Sequence, residues 1–108
     1  MTDIKVVKFG GSSLADAKQF KKVADIIKSD KNRRFVVASA PGKRFSEDIK
    51  ITDMLYACYE KAAKGEDFSA DFNAIEERYN SIISEINIDI SLAKDYETIK
   101  NAFAHTAG

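Results

Sequence analysis

The chain has 108 residues, 44% of them hydrophobic and 31% charged, with 17 Lys and Arg against 17 Asp and Glu. Such a composition belongs to a soluble globular domain that buries roughly 65% of the surface its unfolded chain exposes, and it excludes collagen-like, disordered and membrane-embedded chains. A balanced charge leaves no net field to hold nucleic acid or an anionic membrane, and the lone cysteine, Cys58, excludes an internal disulfide and reads as a small buried hydrophobe in a reducing compartment.

The first nine residues hold an apolar stretch interrupted by Lys5 and Lys8. It is much too short for the core of a signal sequence, and no run approaches the roughly 20 apolar residues of a membrane helix, so a cytoplasmic protein is expected. Residues 4–9 and 35–39 are rich in Val, Ile and Phe and bounded by glycine or charge, which predicts two buried strands. Between them Phe20, Val23, Ala24 and Ile27 recur at helical spacing, with Lys21, Lys22, Asp25 and Lys28 on the other face. Strand, glycine turn, helix and strand predict a parallel βαβ unit with a right-handed crossover.

Residues 41–50 are polar and charged, with Gly42 beside the only proline, and predict an exposed loop at the carboxyl end of the second strand. Ligands of open α/β sheets gather at that end. A second helix is expected from about Thr52, carrying Met54, Leu55, Cys58, Tyr59 and Ala62 and stopping before Gly65. A third presents Phe68, Phe72, Ile75, Tyr79, Ile82, Ile83 and Ile86. A fourth presents Leu92, Tyr96, Ile99 and Phe103, with Ser91 in a capping position. Two strands are little sheet for so many apolar stripes, so the chain reads as the amino-terminal part of a larger α/β domain continuing beyond Gly108.

Chemistry concentrates in Lys8-Phe9-Gly10-Gly11-Ser12-Ser13, where a strand ends and a helix is about to begin. Paired glycines allow a tight turn and close approach of backbone to ligand, and N–H groups pointing out of such a turn make an anion site to which Lys8 adds a full charge. From spacing alone a second interpretation stays open: a plain turn, with Ser13 capping the helix and Lys8 a solvated strand end. No G-x-x-x-x-G-K-[ST] and no G-x-G-x-x-G is present. Glu47, Asp48 and Asp53 read as loop and helix-start charges, Tyr56, Tyr59, Tyr79 and Tyr96 as core, and His105, alone, as structural.

The segment Lys8 to Ser13 resembles the amino-terminal signature of aspartokinases, K-F-G-G-[ST]-S. Ser39-Ala40, followed after a loop by Thr52-Asp53-Met54-Leu55, is similar to the family's S-A-x-G … T-[ND]-x-L segment, and Gln19-Phe20-Lys21-Lys22-Val23 agrees with family usage. The resemblance runs to about residue 60. It implies the amino acid kinase fold, a three-layer α/β sandwich around a mainly parallel sheet, here an amino-terminal portion spanning residues 1–108 with about two strands and four helices. It also implies transfer of the γ-phosphoryl group of ATP to the side-chain carboxylate of L-aspartate, giving 4-phospho-L-aspartate on the way to lysine, threonine and methionine.

By match to the motif, Lys8 would be catalytic, and Lys8, Phe9, Gly10, Gly11, Ser12 and Ser13 would bind the nucleotide. Ser39 and Thr52 would contact aspartate, and Mg2+ would arrive with ATP rather than in a protein metal site. The partners implied are small molecules, with no nucleic acid or membrane, in a homo-oligomeric parent. The family's downstream acidic substrate contact, adenine-binding half and carboxyl-terminal regulatory domains have no counterpart in the sequence, so the chain by itself is expected to be inactive. Two alternatives accompany this reading: an amino acid kinase acting on glutamate or a carbamate, and a non-catalytic helical interaction module.

Overall fold

The computed structural model describes residues 4–106; residues 1–3, the start of the segment judged too short for a signal sequence, and 107–108 lie outside the described residues. Two compact units divide between Lys50 and Ile51. The first contains β1 (Lys5–Phe9), a 3-10 turn (Gly11–Leu14), α1 (Ala17–Lys28) and β2 (Arg33–Ala38). The strands pair in parallel, Val6 opposite Phe35, Val7 opposite Val36, Lys8 opposite Val37 and Phe9 opposite Ala38, as a helical crossover requires.

Helix α1 starts at Asp16, whose Oδ1 accepts from the Gln19 N–H at 3.0 Å. The acid therefore satisfies one of the donors orphaned at a helix start, and the serines upstream do not cap α1. At the other end the Arg33 guanidinium donates to the Ile26 carbonyl and to Ser29 Oγ, and Lys5 pairs with Asp30 at 2.6 Å, tying the end of α1 to the start of both strands. Leu14, Ala15, Ala17 and Val23 are buried.

The expectation of buried strands fails. Val6 is 68%, Phe35 59% and Val37 51% exposed. Alternation along β1 turns Val7 and Phe9, both half-buried, to one face and Val6 with Lys8 to the other. Two strands and one helix supply too little cover for both faces of a sheet.

The second unit is three helices, α2 (Ile51–Ala63), α3 (Ser69–Glu85) and α4 (Ala93–Ala104). Gly65 takes φ 73° just past α2, and Asn87 takes φ 57° just past α3, the left-handed conformation that ends many helices. Ile51, Cys58, Ala62, Phe72, Ile75, Ile82 and Tyr96 form the core, each large side chain contributing about 1.5–3 kcal/mol. Phe72 meets Tyr96 and Phe103 edge-on at 6.2 and 6.3 Å, and the Tyr96 hydroxyl donates to Asn80 Oδ1 at 3.0 Å. Lys61–Asp71 and Lys100–Glu76 ion pairs, 2.7 and 2.8 Å, join α2 to α3 and α4 to α3.

Tyr56 and Tyr59, expected in the core, are exposed, whereas Arg78 is buried on the stripe of Ile75 and Ile82. Ser91 does not occupy the cap position, which is Leu92, but its Oγ accepts from the Ala93 N–H at 3.2 Å. Among the described residues no helix is long and apolar enough to cross a membrane.

Candidate functional site

Where β1 runs out, its backbone bends through Gly10 into the 3-10 turn, and the bonds holding the bend use its carbonyls. Phe9 O accepts from Ser39 N–H at 3.1 Å, Gly10 O from Ser13 N–H at 3.1 Å and Gly11 O from Gly42 N–H at 2.8 Å. The N–H groups of Gly10, Gly11 and Ser12 have no hydrogen-bond acceptor among the described residues. Backbone donors left without a protein acceptor can attract an anion.

The two glycines have different reasons to be glycine. A Cβ on Gly11 would lie 3.2 Å from Ala40 O, and one on Gly42 would lie 2.7 Å from the carbonyl carbon of Gly11 and 2.9 Å from Ser12 N. Gly11 and Gly42 thus mark a backbone-on-backbone crossing of the β1 bend and the loop after β2. A Cβ on Gly10 would meet nothing within 4 Å, and its φ −77°, ψ 175° suits any residue. Protein packing gives no reason for a glycine there.

Lys8 extends from the exposed face of β1 and joins no ion pair among the described residues, in contrast to Lys5, which is held by Asp30. With Asp16 capping α1, the hydroxyls of exposed Ser12 and half-buried Ser13 are released from that duty. Phe9 is half-buried beside them, and Ser39, exposed, is tied to the same strand end through its bond to Phe9. Thr52 belongs to the second unit, exposed in the first turn of α2. It borders an open groove of about 470 Å³ with Leu55, Tyr56, Tyr59 and Phe103.

The loop after β2 is not uniformly exposed as expected. Pro41 and Gly42 are buried at the crossing. Further along, Arg44 grips Asp48 with two bonds of 2.6 and 3.0 Å while its own N–H donates to the same carboxylate at 3.0 Å. The Arg44 guanidinium bonded to Asp48 holds that carboxyl well below the usual range. Cys58 is fully buried and its thiol is pushed up by desolvation. His105 is exposed, its ring Nδ1 within 2.6 Å of Asn101 O.

The charge balance of the whole chain conceals a division. Residues 1–50 carry 12 Lys and Arg against 6 Asp and Glu, and residues 51–108 carry 5 against 11. Counting by halves, rather than over the whole chain, brings this out.

Two parallel strands joined through a glycine bend and a helix, followed by three further helices, define an α/β chain. The profile of the amino acid kinase family matches residues 3–100, and the chain belongs to that family. Within it the similarity is to aspartokinases. Aspartokinase 3 of Bacillus subtilis (strain 168) is 46% identical over 89 residues, 82% of this chain and 20% of that protein. The crystal structure of Clostridium acetobutylicum aspartate kinase is 49% identical and superposes with TM-score 0.93 over 98% of this chain and 24% of that one. Escherichia coli aspartokinase III in complex with aspartate and ADP (R-state) is 31% identical, TM-score 0.70, over 98% of this chain and 24% of that one. The chain therefore spans about a fifth to a quarter of the length of these relatives.

Proposed function

We propose that the chain is the amino-terminal portion of an aspartokinase catalytic domain and supplies the phosphate-gripping side of the reaction of ATP with L-aspartate to give 4-phospho-L-aspartate and ADP. The observation that carries this reading is the bend, where three N–H groups at Gly10, Gly11 and Ser12 lack acceptors among the described residues at the strand end that bears Lys8. Likeness to relatives named for aspartate as substrate supports the choice of acceptor.

Joining two anions in line is mainly positioning and charge neutralisation. The aspartate side chain is already ionised at neutral pH and needs no general base. Lys8 neutralises charge on the transferring phosphoryl group, the Phe9–Gly10–Gly11 backbone and the hydroxyls of Ser12 and Ser13 hold phosphate oxygens, and Ser39 and Thr52 contact aspartate. Among the described residues no three His, Cys, Asp or Glu side chains converge to hold a metal ion; Mg2+ enters on the nucleotide phosphates. Further layers of the parent cover the open sheet face of Val6, Phe35 and Val37. The parent is a cytoplasmic homo-oligomer serving lysine, threonine and methionine synthesis, and the chain by itself is inactive.

The test is Lys8→Ala in the full-length kinase. Turnover is expected to fall about 10²–10³-fold with a much smaller rise in KM, and unchanged turnover would remove Lys8 from the mechanism. A parent that phosphorylates glutamate and leaves aspartate untouched would overturn the choice of substrate.

A further inference from the structure

Helix α1 carries one anion at its cap, Asp16, and cations immediately after it. The amino end of a helix favours anions and disfavours cations, yet α1 has no acidic residue in its first turn and places Lys18 there, with Lys21 and Lys22 in the turn after. All three are exposed, and none joins an ion pair among the described residues. The opposing charge at this end is two carboxylates against the three ammonium groups. Asp16 accepts from Gln19 as the cap and feels Arg44, which itself holds Asp48, and Asp25 neighbours Lys21 at i+4 and Lys22 at i+3, which leaves a surplus of positive charge.

Side chains of a helix lean towards its amino terminus, so these three ammonium groups lean towards the end of α1 that follows the Gly10–Leu14 bend. At 1.5 Å per residue Lys22 is about 9 Å along the axis from Asp16, comparable with the screening length of about 8–10 Å at moderate salt. Lys28 and Lys31 stand at the far end of α1, beyond that reach.

We propose that Lys18, Lys21 and Lys22 form an electrostatic capture surface that raises the rate at which a phosphate-bearing anion reaches the bend, without contacting it in the bound state. The inference rests on the reading of the bend as a nucleotide phosphate site and adds a separate step to it. Lys8 acts on contact; the α1 lysines act on encounter.

The test is stopped-flow mixing of the full-length kinase with an N-methylanthraniloyl derivative of ATP and Mg2+ over a range of salt. Wild type is compared with a Lys18→Gln, Lys21→Gln, Lys22→Gln variant and with a Lys28→Gln, Lys31→Gln control. The triple variant is expected to associate about fivefold more slowly at low salt, with the gap closing as salt rises and the dissociation rate unchanged. The control is expected to match wild type. An unchanged association rate in the triple variant, a loss confined to dissociation, or an equal loss in the control would overturn the capture surface while leaving nucleotide binding intact. Absence of saturable binding in wild type would instead overturn the reading of the bend itself.

Discussion

Gly10 and Gly42 separate architecture from ligand binding, because each glycine is bare for a different reason. At Gly42 an added methyl group lands 2.7 Å from the Gly11 carbonyl carbon and 2.9 Å from both Gly11 O and Ser12 N. Every clashing atom is backbone, so none can swing aside as a side chain would. Relief requires the two loops to part, which strains or breaks the 2.8 Å bond from Gly42 N–H to Gly11 O. Overpacking of this kind costs about 1–3 kcal/mol, and a weakened hydrogen bond adds about 1 kcal/mol. In a domain of 150–250 residues each kcal/mol lowers the melting temperature by about 2–4 °C, so Gly42→Ala should reduce it by several degrees.

Gly10→Ala meets nothing within 4 Å and keeps an ordinary extended φ. Its melting temperature should stay level or rise slightly, since alanine also restricts the unfolded chain. If the empty space at Gly10 belongs to the ligand, the same methyl group should weaken ADP binding at least tenfold. The assay is thermal unfolding and ADP titration on the same preparations of the full-length kinase. Stability unaffected by Gly42→Ala, or nucleotide affinity unaffected by Gly10→Ala, would refute the respective half of this reasoning.

Phe72→Ala removes the ring that meets both Tyr96 and Phe103 and should destabilise the helical unit by about 3–5 kcal/mol; a loss below about 1 kcal/mol in urea unfolding would put the core elsewhere. For the Arg44–Asp48 clamp the Asp48 carboxyl is depressed on folding, so its contribution is complete above the ordinary value of 3.8 and fades as pH falls through the lowered folded value. Arg44→Gln should therefore reduce stability near neutrality, by about 1 kcal/mol for a pair whose arginine is exposed. The gap between variant and wild type should shrink in strongly acidic solution, and a gap that stays constant there would show that the clamp acts through something other than charge.

Local chemistry made much of this chain legible. The Val-rich segments, the glycine pair and the 3.6-residue stripe of Phe20, Val23 and Ile27 specify β1, the bend, α1 and β2, and Gly65 stops α2 where expected. The errors arose where the deciding partner is distant in sequence. Apolar strands look buried in sequence, but Val6 and Phe35 are open because burial depends on covering layers and not on the strand itself. The need for glycine at Gly42 comes from its crossing with Gly11, which no local pattern records. The cap of α1 was missed although its signal is local: the sequence reading offered Ser13, whereas Asp16 three residues before Gln19 is a capping signal and its carboxylate sits at the helix start. Burial of Arg78 escapes a count of hydrophobic residues, although its place between Ile75 and Ile82 on α3 puts it on the buried stripe.

The most direct measurement is a crystal structure of the full-length kinase with a non-hydrolysable ATP analogue, Mg2+ and aspartate. The expected result is phosphate oxygens at hydrogen-bonding distance from the N–H groups of Gly10, Gly11 and Ser12, with Lys8 Nζ turned onto the terminal phosphate. Phosphates seated elsewhere, with those amides covered by protein acceptors and Lys8 pointing into solvent, would contradict the proposed role of the bend.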